Sequence, residues 1–182
     1  MMIVSMRSRG FSNVCAAYRR DLYEELGGFV EYTLFNEDML FAHKAISHGY
    51  RIAYVSEAEV VHSHDYTNKQ QFQRNFDLGV SQAEHPEVFE NVPATTEGKK
   101  LVKRTIAFLK SKKKYHLIPG FLITCAYKYA GFRLGKNYTR LSEKRILKYT
   151  TNREYWLKKN IRNATTGIDP YSGYGISPEE RR

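Results

Sequence analysis

The sequence predicts an α/β fold followed by a basic helical region. Short stretches rich in Val, Ile and Tyr alternate with stretches whose apolar residues recur at helical spacing in the first half. Charge changes sign along the chain: residues 1–92 hold 8 Lys and Arg against 13 Asp and Glu, and residues 93–182 hold 21 against 6. We therefore predict an α/β half over 1–92, a basic helical region over 93–162, and an irregular tail over 163–182, where Gly and Pro are frequent.

Periodicity and end signals place the elements of the first half. Glycine pairs or single glycines follow two of the predicted helices, as is usual at helix C-termini. The residues Phe72, Phe76 and Val80 define the apolar side of the third. The predicted order is strand 11–17, helix 18–26, helix 36–48, strand 51–55, strand 59–62 and helix 69–84.

The second half is predicted to form basic helices over 99–114, 117–134 and 141–149. Its charge favours an anionic partner. Residues 117–134 are apolar and aromatic, but charged and helix-breaking residues interrupt them too often for a membrane span. These helices suit either an anionic membrane surface or an ordinary core helix beside solvated lysines. Nucleic acid is the least favoured partner, because no recognition motif is present.

Composition excludes several classes of protein. Aromatic residues make up 14% of the chain, which is too many for a wholly disordered protein. The two cysteines, Cys15 and Cys125, are too few and too far apart for a disulfide framework or a zinc cluster. A reducing cytoplasm fits this cysteine content.

An acidic pair at the start of a helix is the first candidate site. Asn36 is a suitable N-cap, and Glu37 and Asp38 follow in the first turn. A carboxylate held at a helix start can act as a general base toward an acceptor hydroxyl. On spacing alone, ordinary helix capping is the more common explanation of such a pair.

Two histidines form the second candidate site. His62 and His64 follow a Val-rich stretch and are one residue apart, so both imidazoles can reach one metal ion. The surrounding sequence offers no HExxH motif and no third clustered ligand. A surface or hydrogen-bonding role is the alternative.

The ordered set of motifs over residues 11–67 resembles family 2 glycosyltransferases, in particular bacterial rhamnosyltransferase-like members. The motifs that carry the resemblance are the Ser12-Asn13 stretch with Tyr18-Arg19-Arg20, the Gly27-Gly28-Phe29 turn, the Glu37-Asp38 pair, the segment from Gly49 to Val55, and Val61-His62-Ser63-His64. A looser likeness continues through the basic stretch around Tyr138. Residues 163–182 show no resemblance.

The resemblance implies a GT-A, Rossmann-like fold of which this chain would be the acceptor-side half. It implies Asp38 as general base, Glu37 and Asn36 at the acceptor, and His62 with His64 at a Mg²⁺ or Mn²⁺ site. The implied donor is a nucleotide sugar, with rhamnose as one candidate sugar. The implied acceptor is a glycan or lipid-linked glycan at the cytoplasmic face of the membrane.

The sequence also departs from the family pattern. It contains no Asp-x-Asp, the motif that would hold the metal of the donor site, and only ten residues precede Phe11. We therefore expect the donor-binding half to be missing or to come from a partner chain, and the chain to be inactive by itself. The alternative is a non-catalytic remnant or an interaction subunit.

Overall fold

The computed structural model describes residues 13–90 and 94–166. The chain forms two compact units, with the boundary between Thr151 and Asn152. Short 3-10 turns lie at Asn13–Cys15, Tyr115–Leu117 and Tyr138–Arg140. The α-helices of the described ranges are α1 (Arg20–Glu25), α2 (Glu37–Ser47), α3 (Asn68–Glu84), α4 (Pro86–Phe89), α5 (Ala94–Ser111), α6 (Ile118–Lys136), α7 (Glu143–Tyr149) and α8 (Arg153–Thr166).

The predicted α/β, Rossmann-like fold is wrong, because the described residues form helices and no β-strand. Residues 51–55 and 59–62 are predicted as strands, yet Ala53 alone takes part in an isolated bridge there. A strand needs a neighbouring strand to accept and donate its backbone hydrogen bonds. The described chain offers no such ladder, so this segment stays irregular and Val61 is fully exposed.

Two predictions near the ends of the chain are partly wrong. The predicted buried strand over 11–17 is wrong for Asn13–Cys15, a 3-10 turn in which Val14 is exposed. Residues 11 and 12 of that prediction lie outside the described residues. The irregular tail predicted from residue 163 is wrong as far as Thr166, because α8 runs to that residue. Residues 167–182 lie outside the described ranges.

The predicted helices of the first half are confirmed nearly to the residue. Helix α1 ends before Gly27 and α2 before Gly49, and both glycines have a positive φ, of 75° and 80°. Only glycine adopts this conformation without a steric cost, which is why the helices stop there. Helix α3 begins after Thr67, whose side chain accepts a hydrogen bond from the Gln70 backbone in a capping box.

Helices α1 and α2 share a small apolar core. Leu22 of α1 and Leu26, which directly follows this helix, pack with Phe41 and Ala45 of α2, and all four side chains are buried. Ile46 of α2 is exposed. The buried face is therefore centred on Phe41, and it fixes the direction of α2 and of the acidic residues at its start.

Helices α3 and α6 form the most extensive helix pair of the first unit. Their backbones meet at Gly79 of α3 and at Gly131 and Gly135 of α6. A Cβ atom added to Gly131 would lie 2.2 Å from the Phe72 carbonyl oxygen, and one added to Gly135 would lie 2.1 Å from that of Phe76. Side chains at these three positions would therefore separate the two helices.

A buried carboxylate connects α3 to the chain beyond α7. Asp77 is fully buried and accepts hydrogen bonds from the Thr151 backbone N–H at 2.7 Å and the Thr151 hydroxyl at 2.5 Å. Burial raises the pKa of the Asp77 carboxyl above its usual range, although the Thr151 and Thr150 side chains and the Arg74 charge oppose the shift. The two hydrogen bonds hold the end of the first unit against α3.

In the second unit, α8 carries a cation above two rings. The Lys159 ammonium lies 5.7 Å from the ring centroid of Tyr155 and 5.4 Å from that of Trp156. Among the described helices of both units, none has the length and apolarity required to cross a bilayer.

We expect Gly135→Ala to lower the free energy of unfolding by about 1–3 kcal/mol, because the new methyl group would push α6 away from α3. Gly120→Ala in the same helix is the matched control, since nothing lies within 4 Å of its Cβ position. That control should raise stability by about 0.5–1 kcal/mol through helix propensity. Urea unfolding followed by circular dichroism measures both, and equal stability of the two variants would contradict the close backbone packing.

We expect Asp77→Asn to become more stable relative to the unsubstituted protein as pH rises above about 4. The folded state raises the pKa of Asp77, so it binds the proton more tightly than the unfolded chain does. Stability from this group is therefore present at low pH and is lost as the carboxyl ionises in the folded state. Unfolding measured between pH 4 and 8 tests this, with the exposed Asp65→Asn as control. A pH-independent difference would refute it.

Candidate active site

The acidic pair occupies the first two positions of α2. Glu37 and Asp38 are both half-buried, and Asp38 Oδ1 accepts a hydrogen bond from the Met39 backbone N–H at 2.7 Å. This bond orients the carboxylate at the helix N-terminus, where the helix dipole favours negative charge. The predicted position of the pair at a helix start is therefore confirmed, while its chemical role stays a prediction.

The Asn36 side chain does not cap α2. It connects the start of α2 to α3 instead. Its backbone adopts the left-handed conformation, with φ 66° and ψ 21°, and its side chain makes no capping hydrogen bond. The Asn36 amide Nδ2 donates instead to Ser81 Oγ at 3.0 Å, and the residue is buried. The acceptor-binding role predicted for Asn36 stays a prediction. In the structure, its side chain fixes the backbone that presents Glu37 and Asp38.

Ser81 makes two of the hydrogen bonds that hold the start of α2 in place. Its hydroxyl donates to the Phe35 carbonyl oxygen at 2.6 Å while it accepts from Asn36. The Thr33 hydroxyl donates to the same carbonyl at 2.8 Å. Ser81 is fully buried, so these bonds are shielded from water. The turn before α2 is thereby tied to a residue 45 positions further along the chain.

An aromatic cluster supports the acidic pair from the other side. The rings of Tyr18, Tyr23, Phe29 and Phe41 lie in mutual contact, with centroid distances from 5.1 to 6.3 Å. Burial, followed by the charges of Asp38 and Glu37, raises the pKa of the Tyr18 phenol well above its usual range. Tyr18 therefore stays protonated, and its O–H group is close enough to both carboxylates to interact with them electrostatically.

The two histidines lie together on the exposed segment that precedes α3. The rings of His62 and His64 meet edge to face with centroids 4.4 Å apart, and His64 stacks on Tyr66 at 4.8 Å. Both histidines are exposed to solvent. The predicted proximity of the two imidazoles is confirmed.

Arg74 connects the histidine segment with the turn before α2. Its guanidinium carbon lies 4.7 Å from the ring centroid of Tyr66 and 5.1 Å from that of Phe35. Ring and cation contacts thus run from His62 through His64, Tyr66 and Arg74 to Phe35, the residue immediately before Asn36. These contacts connect the histidine segment with the turn that leads into α2, with the positive charge of Arg74 between them.

The described residues do not assemble a complete metal site. No group of three or more His, Cys, Asp or Glu side chains within these ranges is arranged to hold an ion. His62 and His64 would contribute two imidazoles, whereas Mg²⁺ and Mn²⁺ favour several oxygen ligands. The Mg²⁺ or Mn²⁺ site implied by the resemblance therefore stays a prediction.

Sequence analysis assigned no role to Tyr18, Arg74 or Ser81. Tyr18 stood within a matched motif, but its neighbourhood depends on the packing of α1 against α2. Ser81 directly follows Val80, so it is turned about 100° away from that residue on the helix and lies off the predicted apolar face of α3. The sequence therefore gives no signal that Ser81 is buried. Arg74 lies between Phe72 and Phe76, the apolar positions of that face. The position of Arg74 between the rings of Phe35 and Tyr66 is seen only in the structure, because it depends on where the segment before α3 lies.

Comparison with known proteins shows that the chain is similar in sequence to proteins named as rhamnosyltransferases. One relative is the O-antigen chain rhamnosyltransferase WbaN of Salmonella anatum, and another is RfbN of Salmonella typhimurium. Each is 42% identical over 146 residues, which cover 80% of this chain and 46% of the relative. The chain is thus rhamnosyltransferase-like over most of its length.

The chain spans about half the length of these curated relatives. No protein-family model matches it, and no solved structure does. Membership of family 2 accordingly stays a prediction.

We expect Ser81→Ala to destabilise the protein by about 1–3 kcal/mol, because it removes a bond to the Phe35 carbonyl and the acceptor of the buried Asn36 amide. Ser111→Ala is the matched control, since that hydroxyl is exposed on α5 and bonds only locally to the Phe108 carbonyl. Thermal unfolding measures both variants. Equal melting temperatures would show that Ser81 does not anchor the start of α2.

Proposed function

We propose that this chain contributes the acceptor side of a glycosyltransferase that moves a sugar from a nucleotide-sugar donor to a hydroxyl of a glycan. The observation that carries the proposal is the 42% identity over 146 residues to proteins named O-antigen chain rhamnosyltransferases. Those names support rhamnose as the sugar and a surface glycan, or its lipid-linked precursor, as the acceptor. We further propose family 2 membership and a location at the cytoplasmic face of the membrane.

Asp38 is the general base of this proposal. Its carboxylate takes the proton of the acceptor hydroxyl while that oxygen forms a bond to the anomeric carbon, and the bond from this carbon to the diphosphate breaks. The nucleoside diphosphate leaves with the bonding electron pair, and attack from the opposite face inverts the anomeric centre. The Met39 hydrogen bond and the Ser81 anchor support this role, since they hold the carboxylate in a fixed direction.

Two neighbours of Asp38 have supporting roles in the proposal. Glu37 orients the acceptor through a second hydroxyl, and the protonated Tyr18 phenol supplies a hydrogen-bond donor beside the two carboxylates. Arg74 lies between the histidine segment and the turn that leads into α2, and its positive charge suits a departing diphosphate. Any Mg²⁺ or Mn²⁺ at the histidines would need ligands in addition to the two imidazoles, and it would help to neutralise the departing diphosphate.

A second candidate function is supported by the exposed segment before α3. Tyr54, Val55, Val60 and Val61 are all exposed, and their residue types are typical of strands. An extended segment of this kind can pair with a strand of another polypeptide. In this alternative, the chain is a binding subunit that completes a partner which carries the donor site.

We expect Asp38→Asn to lower the rate of sugar transfer by about 100-fold to 10,000-fold, since loss of a general base has effects of that size. The asparagine oxygen can still accept the Met39 N–H, so the fold should persist. The measurement is incorporation of labelled rhamnose from dTDP-rhamnose into lipid-linked glycan by membranes of source cells that carry the substitution.

The exposed Glu57→Gln is the matched control and should leave transfer unchanged. A third variant, Val60→Asp with Val61→Asp, separates the two candidate functions. Loss of transfer in this variant, together with full transfer by Asp38→Asn, would favour the binding subunit and reject Asp38 as base. Full transfer by the valine variant and loss in Asp38→Asn would favour the catalytic proposal.

A further inference from the structure

A basic segment without acidic residues runs from Lys99 in α5 to Lys114 in the turn that follows this helix. Between Lys99 and Lys114 the chain carries eight Lys and Arg residues and no Asp or Glu, and all eight side chains are exposed. The segment is therefore a continuous source of positive potential on the first unit.

Large apolar side chains are exposed within and beside the same segment. On α5, Leu101 and Phe108 are seven residues apart and share one side of the helix, with 65% and 58% of their surfaces exposed. On α6, Leu122 and Tyr129 repeat the same spacing on the side opposite the glycines that meet α3. Tyr115 and Leu117, in the turn between the helices, are exposed as well.

On α5, Arg104 is turned only about 50° from the line through Leu101 and Phe108, whereas Lys99, Lys103 and Lys110 lie on the opposite side of the helix. The Lys112 ammonium lies 5.9 Å from the ring centroid of Phe108. We call these apolar residues, together with Arg104 and the turn residues Lys112, Lys113 and Lys114, the basic apolar surface.

Little of the protein that the structure describes packs around helix α5. Its main contacts are with α6 and with the 3-10 turn Tyr115–Leu117, whereas α3 and α6 bury a long interface. Its half-buried residues, Val102, Ile106 and Leu109, lie on a different side of the helix from Leu101 and Phe108. The exposed apolar side chains are thus additional to those that attach α5 to the rest of the unit.

We propose that the basic apolar surface binds the surface of an anionic lipid bilayer. Leu101, Phe108, Leu122 and Tyr129 enter the boundary between headgroups and acyl chains. The lysines, whose long side chains reach past the apolar atoms, bind the lipid phosphates. This inference goes beyond the proposed function, because it requires neither donor sugar nor glycan acceptor.

Charge complementarity favours a bilayer over other occupants. A second copy of the chain would bring the cations of this surface against one another. A protein partner is disfavoured because lysine is depleted at the centres of protein interfaces. Nucleic acid would satisfy the charge, and bases could stack on Phe108, Tyr115 and Tyr129, but Leu101, Leu117 and Leu122 would stay exposed to water. A bilayer accommodates both the cations and the aliphatic side chains.

The test is co-sedimentation of the full chain with vesicles of equal phosphatidylcholine and phosphatidylglycerol, and with phosphatidylcholine alone. We expect binding to the anionic vesicles and much weaker binding to the neutral ones. Arg104→Glu with Lys112→Glu and Lys114→Glu should weaken binding by on the order of 100-fold, at about fivefold per basic residue. The charge-matched control is Arg51→Glu with Lys144→Glu and Lys148→Glu, which are exposed outside the surface.

An apolar pair tests insertion separately from charge. Leu101→Ser with Phe108→Ser should weaken vesicle binding by about tenfold, whereas the fully exposed Val61→Ser should have no effect. All substituted side chains are exposed, and circular dichroism checks that the helices persist. Equal losses in both charge variants, or unchanged binding by the Leu101 and Phe108 variant, would overturn the proposal. Tighter binding to a single-stranded oligonucleotide than to the anionic vesicles would overturn it in favour of nucleic acid.

Discussion

Close contact between the backbones of α3 and α6 is the constraint on which the first unit depends. Gly79, Gly131 and Gly135 let the two helices approach without side chains between them. The Thr124 hydroxyl of α6 also donates to the Asn68 side chain of α3, at 2.9 Å. One side of α3 packs against α6, and residues on its other sides contact other parts of the chain.

Three polar residues of α3 then organise what surrounds it, each through a different interaction. Ser81 anchors the turn before the acidic pair by hydrogen bonds, and Arg74 lies between the rings of Phe35 and Tyr66. Asp77 accepts a hydrogen bond from the Thr151 backbone N–H and so holds that part of the chain against α3. Buried polar groups carry a large penalty when they lose their partners, so each contact specifies one arrangement of a segment that is otherwise irregular. The candidate active site is therefore positioned mainly by α3, although its acids belong to α2.

The uneven charge of the chain corresponds to two distinct surfaces. The acidic pair and Tyr18 lie in the half with excess negative charge, and the basic apolar surface lies in the half with excess positive charge. Separation of this kind suits a protein that receives a hydroxyl acceptor at one surface and contacts anionic lipid at another. The relatives named O-antigen chain rhamnosyltransferases are 42% identical to the chain over 146 residues, and the chain spans about half of their length.

Helix positions and the acidic pair could be predicted from the sequence, because they depend on neighbouring residues. Gly27 and Gly49 end helices by their own conformational preference, and Glu37 and Asp38 are recognisable in the first turn of α2. Strands could not be predicted in the same way, because residues 51–62 form a ladder only if another strand lies beside them. The bond from Asn36 to Ser81 and the place of Arg74 between two rings join residues far apart in the chain. Only the tertiary structure decided these contacts, because side chains distant in sequence meet only after the helices have packed.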